Sequence, residues 1–231
     1  MATAVITGAS RGIGLALTQQ LLERGDTVIA GVRNPHRADD LHGLAQAHAD
    51  QLEIIRLDVT DDDDIARCKA HLDDRKLDLL IHNAGIFGVR ADTFGACDEA
   101  GWIDALRTNC IAPRKITEAL FENLKAAEAP RLAFITSKMG SMGDNQSGGA
   151  YVYRSSKAAL NAVAVSLAQD LAPAGIMTLI LHPGWVRTNM GGPNGEIDTE
   201  TSARRLLEHI DTATEADCGR FIDIDGTTIP W

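Results

Sequence analysis

The stretch from Ala2 to Val32 limits what this chain can fold into more than any other. Ala2 to Thr7 is a short apolar, β-branched run, followed by Gly8-Ala9-Ser10-Arg11-Gly12-Ile13-Gly14. A helical pattern then runs to Arg24, Gly25-Asp26 turns the chain, and Thr27 to Val32 is a second β-branched run. Strand, glycine loop, helix and strand together make a βαβ unit. The glycines permit a tight turn and let backbone N–H groups approach a phosphate. The helix that follows points its positive end at the same anion. The spacing is Gly-x-x-x-Gly-x-Gly, not the Gly-x-Gly-x-x-Gly of other dinucleotide folds.

The alternation continues. Pro35 to Ala49 reads as a helix and Leu52 to Leu57 as a strand, and Thr60 is expected to cap a helix opening on Asp61-Asp62-Asp63-Asp64. Leu77 to Ile81 is a fully apolar strand. Ile103, Leu106, Cys110, Pro113, Thr117, Leu120 and Leu124 recur three and four apart, predicting one helix from Gly101 to Leu124 with an apolar stripe. Arg131 to Thr136, Ile176 to Leu181 and Arg220 to Ile224 read as strands, and Tyr153 to Leu171 and Thr201 to Ile210 as helices. Strands alternating with helices predict an α/β, doubly wound parallel sheet. At 231 residues the chain suits a single domain spanning its whole length.

Charge and cysteine content narrow the function classes. A net charge of −10 argues against nucleic-acid binding. No leader pattern opens the sequence and no apolar run reaches membrane-spanning length, so a cytoplasmic location with no membrane partner is expected. Cys68, Cys97, Cys110 and Cys218 are scattered, which suits reduced, structural thiols. The acidic run Asp61 to Asp64 complements a helix dipole and lacks the spaced ligands of a calcium loop, so no metal is expected.

Candidate site residues cluster at predicted strand ends, where open parallel sheets bind ligands. Where an NAD site usually places a carboxylate, this chain has Gly31 and Val32 followed by Arg33, and Arg11 stands in the glycine loop. Two cations suit a 2′-phosphate and favour NADP(H) over NAD(H). Asp58-Val59 ends the third strand, within reach of an adenine. Asn83-Ala84-Gly85 follows the fourth with small residues, and His82 reads as a packed, hydrogen-bonded histidine. Pro113 lacks an N–H, so a kink is expected there, freeing the Asn109 carbonyl to hold a water. Ser137 ends the fifth strand, with Ser141 as a competing hydroxyl. Tyr153 and Lys157 stand four apart, on one helix face. An ammonium near a phenol lowers its pKa and fits the pair for acid–base work on a carbonyl or alcohol. Position four on from Tyr151 is Ser155, so Tyr151 reads as packing or pocket lining. A loop rich in glycine from Pro183 to Glu200 looks like a mobile lid or rim.

In order along the chain, Thr7-Gly8-Ala9-Ser10-Arg11-Gly12-Ile13-Gly14, Asn83-Ala84-Gly85, Asn109, Ser137, Tyr153 with Lys157, and Pro183-Gly184 resemble the short-chain dehydrogenase/reductase family from end to end. Gly148 to Lys157, Pro183 to Gly192 and the stretch Gly219 to Trp231 resemble its C-factor/sniffer-like carbonyl reductases most. The resemblance implies a Rossmann-like sheet of about seven parallel strands with helices on both faces. It implies that Tyr153 passes a proton to a carbonyl oxygen, Lys157 lowers the Tyr153 pKa and holds the nicotinamide ribose, Ser137 orients the carbonyl, and Asn109 holds a water. It implies Gly8, Ser10, Gly12, Ile13 and Gly14 at the pyrophosphate, Arg11 and Arg33 at the 2′-phosphate, and Asp58 and Val59 at the adenine. Asn83, Ala84 and Gly85 would lie along the adenosine side, with Pro183, Gly184, Val186 and Thr188 at the nicotinamide side. The reaction implied is NADPH-dependent reduction of a small aldehyde, ketone or quinone, reversible as alcohol oxidation, by a homodimer or homotetramer. Phe87, Met139, Met142, Trp185 and Met190 would line the pocket. A dinucleotide-binding signalling protein of the C-factor type with little turnover is the alternative reading.

Overall fold

The computed structural model describes residues 1–90 and 92–231. Its order of elements is β1 (Thr3–Thr7), α1 (Gly12–Glu23), β2 (Thr27–Val32), α2 (Asp39–Ala47), β3 (Leu52–Arg56), α3 (Asp62–Leu72), β4 (Leu79–His82), α4 (Glu99–Leu106), α5 (Ala112–Ala119), α6 (Phe121–Lys125), β5 (Arg131–Ile135), α7 (Tyr151–Leu171), β6 (Met177–Leu181), α8 (Thr199–Thr212) and β7 (Phe221–Ile222). The seven strands form one sheet in the order β3-β2-β1-β4-β5-β6-β7, and every pairing is parallel.

Strand alternation builds two apolar layers. Ala4 and Ile6 of β1, Leu79 and Ile81 of β4, and Ala133 and Ile135 of β5 face one layer, closed by α1 and α8. Val5, Leu80, Leu132 and Phe134 face the other, closed by α3, α5 and α7. Helices on both faces bury the inner strands, which is why those read as continuous apolar runs, while the edge strand β3 is only partly buried. The strand order reverses between β1 and β4, and the crevice beyond their carboxyl ends is where such sheets take ligands.

Three expectations need correction. Asp61, not Thr60, caps α3, its side chain accepting from the N–H groups of Asp63 and Asp64. The predicted helix from Gly101 to Leu124 is broken into α4, a π-helical turn at Arg107–Ile111, α5 and α6. Pro113 still perturbs the helix, but as a widened turn in which Ala112 N–H reaches back to Arg107. The widened turn shifts the helix phase, and Ile103, expected on the buried stripe, is 47% exposed. The segment after β6, expected as a lid or rim, is cross-braced within itself. Val186 bridges Ile197, Thr188 bridges Gly192, and the Arg187 guanidinium donates to the carbonyls of Gly195 and Glu196.

Candidate active site

The N-terminal loop forms an anion cradle. Gly8 and Gly12 have φ of 69° and 58°, a region that suits glycine. A Cβ on Gly8 would come within 2.9 Å of the Ala84 Cα, and one on Gly14 within 2.5 Å of the Asn83 amide nitrogen. Glycine is therefore the side chain that lets β1, α1 and the end of β4 close on each other. Asn83 in turn donates to the carbonyls of Thr7 and Gly8 at 3.0 Å, and the Thr7 hydroxyl accepts from the N–H groups of Asn83 and Ala84. No side chain caps α1, and its first turn carries no acid. Its N–H groups are left to an external acceptor.

Thr188 lies across this cradle, its methyl 3.5 Å from where a Gly12 Cβ would stand. The loop from Pro183 thus roofs the glycine turn. Gly184 has φ of 80° and packs against Ile197, while Val186 is buried. Arg11 and Arg33 are both exposed, and neither forms an ion pair among the described residues. Asp58 accepts from the N–H and hydroxyl of Thr60 at the end of β3. Val59 packs its side chain into the core. A glycine cradle, an uncapped helix, two uncommitted guanidinium groups and a carboxylate at a strand end fit a phosphorylated dinucleotide.

The four expected catalytic residues converge beyond β4 and β5. Tyr153 and Lys157 lie on one face of α7, 9% and 4% exposed. A Cβ on Gly85 would stand 3.2 Å from the Asn109 amide oxygen and 3.6 Å from the Lys157 ammonium nitrogen, which fixes these groups around one point. Ser137 accepts from Met139 N–H at 3.2 Å, and its hydroxyl is the one near enough to the Tyr153 phenol to influence its titration. Ser141 is committed elsewhere. Its hydroxyl donates to the Pro230 carbonyl and accepts from the Asp144 N–H. The hydroxyl at the phenol is therefore that of Ser137.

Two further details shape the site. The Asn109 side chain, as distinct from its backbone carbonyl, is bonded within the protein: its oxygen accepts from Ile86 N–H at 2.8 Å, and its nitrogen donates to the Ile86 carbonyl and the Ser156 hydroxyl. It pins the loop after β4 to α7. Second, the Tyr153 pKa is not lowered. Burial pushes it up to about 12, outweighing the opposing influence of the nearby Ser137 hydroxyl. Lys157 is itself pushed down to about 8 by burial, and its ammonium donates to the Ile135 carbonyl at 2.9 Å. It lies 5.9 Å from the centre of the Tyr153 ring. Desolvation disfavours the charged form of each group, and it sets the direction of both shifts.

Phe87 stacks on the Tyr153 ring with centroids 4.7 Å apart. Arg90 lies over the Phe87 ring, 6.0 Å from its centroid, and donates to the Asn189 carbonyl. Tyr151, Met142, Trp185 and Met190 are exposed, and the Trp185 indole N–H is taken by the Gly191 carbonyl. His82 is a packed residue as expected, hydrogen-bonded to Thr117 and pushed down to about 3 by burial. Sequence reasoning missed Ser156, Arg90 and Asp92, whose partners lie tens of residues away and leave no local pattern. Asp61, Asp62 and Asp64 each serve a protein partner: the α3 N-terminus, Lys115, and Arg56 with Arg67.

A family model described as short chain dehydrogenase matches residues 2–198. C-signal of Myxococcus xanthus is 42% identical over 155 residues, covering 67% of this chain and 93% of that protein. A 1-hydroxy-2-glutathionyl-2-methyl-3-butene dehydrogenase of Rhodococcus sp. (strain AD45) is 34% identical over the full length of both. Among solved structures, the carbonyl reductase Sniffer of D. melanogaster superposes with a TM-score of 0.95 at 33% identity, covering all of both chains. An NADPH-bound carbonyl reductase from chicken fatty liver superposes at 0.93 with 34% identity, covering 100% of this chain and 99% of that one. The likeness to C-factor and sniffer-like reductases, expected from the Tyr153 and Pro183 motifs, is thereby borne out. With that match and the seven-stranded Rossmann-like sheet, the chain belongs to the short-chain dehydrogenase family of oxidoreductases.

Proposed function

We propose that this protein is an NADP(H)-dependent reductase of a small carbonyl compound, with Tyr153 as its acid. The observation that carries this reading is the convergence of Ser137, Tyr153 and Lys157 beside the anion cradle. A bound dinucleotide would supply the hydride. Gly8, Ser10, Gly12, Ile13 and Gly14 would hold its pyrophosphate, Arg11 and Arg33 its 2′-phosphate, and Asp58, Val59, Asn83, Ala84 and Gly85 its adenosine side. Pro183, Gly184, Val186 and Thr188 would close over the nicotinamide side.

Ser137 orients the substrate carbonyl, and Tyr153 donates its proton to the carbonyl oxygen. Burial keeps that phenol protonated at neutral pH, which suits the reducing direction. Lys157 holds positive charge beside the phenolate that forms. The reverse oxidation needs the phenolate first and so gains with rising pH. The sniffer-like and chicken enzymes, titled carbonyl reductases, support this reading. A carbonyl reductase of Pseudomonas aeruginosa PAO1 in complex with NADP supports the cofactor.

A second reading, a dinucleotide-binding signalling protein with little turnover, is favoured by the likeness to C-signal alone. A panel of aldehydes, ketones and quinones, run in parallel with NADPH and NADH, separates the two. Turnover with NADPH preferred is expected. Binding without oxidation of NADPH across the panel supports the signalling protein, and equal rates with both cofactors remove the case for Arg11 and Arg33. Tyr153→Phe is expected to abolish turnover and keep NADPH binding. We also infer a single domain in the cytoplasm, and a homo-oligomer through the exposed Ile103 and Ile111 beside the π-helical turn. Light scattering showing only monomer would remove that last inference.

A further inference from the structure

We propose that Asp92 is the positioning residue for Tyr153, acting as the N-cap of α7 from the loop after β4. The inference rests on the reading of Tyr153 as proton donor.

The helix that carries Tyr153 has no cap of its own. Its flanking residue is Ala150, which has no side-chain acceptor and sits in the left-handed region at φ 47°, ψ 44°. Gly148 and Gly149 before it are also left-handed, at 64° and 62°. A helix start leaves its first N–H groups without intrahelical partners, and a short polar side chain at the flank usually takes one of them. In this protein that role falls to a residue sixty positions upstream. The Asp92 carboxylate accepts from Val152 N–H at 2.6 Å, and its backbone carbonyl accepts from Ala150 N–H at 3.1 Å. Asp92 is 8% exposed, so this is an interior contact. A carboxylate at the positive end of a helix is also favoured by the helix dipole.

A second contact reaches the same residue of α7. Gly88 has φ of 77°, and a Cβ on it would fall 2.7 Å from a Val152 methyl. The loop therefore grips Val152 twice, by packing and by the cap. It is held at three further points: Ile86 to Asn109, Phe87 to the Tyr153 ring, and Arg90 to Asn189. Tyr153 follows Val152 directly and lies in the first turn, which the cap steadies. Lys157 lies a turn deeper, where the helical ladder and buried neighbours hold it. Loss of the cap thus displaces the proton donor and leaves the dinucleotide cradle, on the other side of β4, untouched. Displacement of a reacting group by about 1 Å costs roughly a hundredfold in rate.

The test compares Asp92→Ala with Asp92→Asn, whose amide oxygen still accepts the Val152 N–H. Readouts are kcat and KM for a turned-over carbonyl, NADPH affinity by fluorescence, and melting temperature. Expected are a kcat lowered by about a hundredfold in Asp92→Ala with NADPH affinity unchanged, and recovery of most of it in Asp92→Asn. A kcat in Asp92→Ala close to wild type overturns the proposal. So does equal impairment of both variants, or loss of kcat and NADPH affinity together. Should Asp92→Ala not fold, Asp92→Glu replaces it: one methylene longer, it is expected to lose kcat where Asn keeps it, and equal kcat overturns the proposal. Tyr153→Phe is measured alongside. If it stays active, the reading of Tyr153 fails and takes this inference with it. If it is dead while Asp92→Ala is fully active, the inference alone fails.

Discussion

Phe87 and Tyr153 lie ring on ring, their centroids 4.7 Å apart and their planes 18° from parallel. One face of the proposed acid is therefore dry. Stacked aromatic pairs contribute about 0.5–1.5 kcal/mol beyond their buried area. Phe87→Ala opens that face to water, which solvates the phenolate better than the phenol. The Tyr153 pKa is expected to fall from about 12 towards the ordinary tyrosine value. The chain has two tyrosines, so ultraviolet titration in a Tyr151→Phe background reads Tyr153 alone. An unchanged midpoint would show that the stack is not what desolvates the phenol.

Lys157 gives a second pH signature, in stability. Its folded pKa of about 8 lies below its ordinary value of 10.5, so the folded protein sheds this proton first. The cost of burying the charge is fully present below pH 8 and vanishes as pH rises through 10.5. The neutral Lys157→Met escapes that cost, which is up to about 3 kcal/mol, and gives up the charge-assisted bond to Ile135, worth about 1.5 kcal/mol or somewhat more. It is expected to be inactive yet to melt higher than wild type at pH 7, with the gain fading in alkaline buffer. Calorimetry across that range checks it. A variant less stable than wild type at neutral pH would contradict the burial argument.

The two serines beyond β5 should separate cleanly. Ser137 stands near the Tyr153 hydroxyl, whereas Ser141 ties the loop to the Pro230 carbonyl, with Gly143 N–H donating to Trp231 beside it. Ser137→Ala is expected to lower kcat and leave the melting temperature near wild type. Ser141→Ala removes two hydrogen bonds, to the Pro230 carbonyl and from the Asp144 N–H, costing about 1 kcal/mol each, and should retain more kcat than Ser137→Ala. The reverse pattern in paired kinetics and melting curves would exchange their roles.

Ala150 holds a left-handed conformation that costs a non-glycine residue about 1–2 kcal/mol. Ala150→Gly removes that strain at some entropic cost, for a net gain near 1 kcal/mol or less. In a chain of this size that is a rise of about 2–4 °C in melting temperature. A lower melting temperature would show that the Ala150 methyl makes contacts worth more than the strain.

Much of this was legible in the residues themselves. The βαβ opening, the alternating strands and the Tyr153–Lys157 spacing depend on local periodicity, and the sheet follows from them. The contacts that decide the chemistry do not. Nothing near Ala150 announces that its helix is capped by Asp92. Nothing near Asn109 tells that its amide is consumed by Ile86 and Ser156. The direction of the Tyr153 shift was misread because spacing on a helix reports proximity to a cation and says nothing of desolvation. The break at Arg107–Ile111 was placed correctly by Pro113, but its form, a widened turn, depends on what packs against it.

The Asn109 amide has a consequence on a slower clock. Its oxygen faces a donor, and its nitrogen faces two oxygen atoms. Hydrolysis of that amide to a carboxyl group exchanges a donor for an acceptor and sets three oxygens against one another. An aged preparation in which this had happened would keep nearly its original mass and lose the fastening between the loop after β4 and α7. Peptide mapping of a stored sample against its remaining turnover would detect it: a chemical lifetime written into the orientation of one side chain.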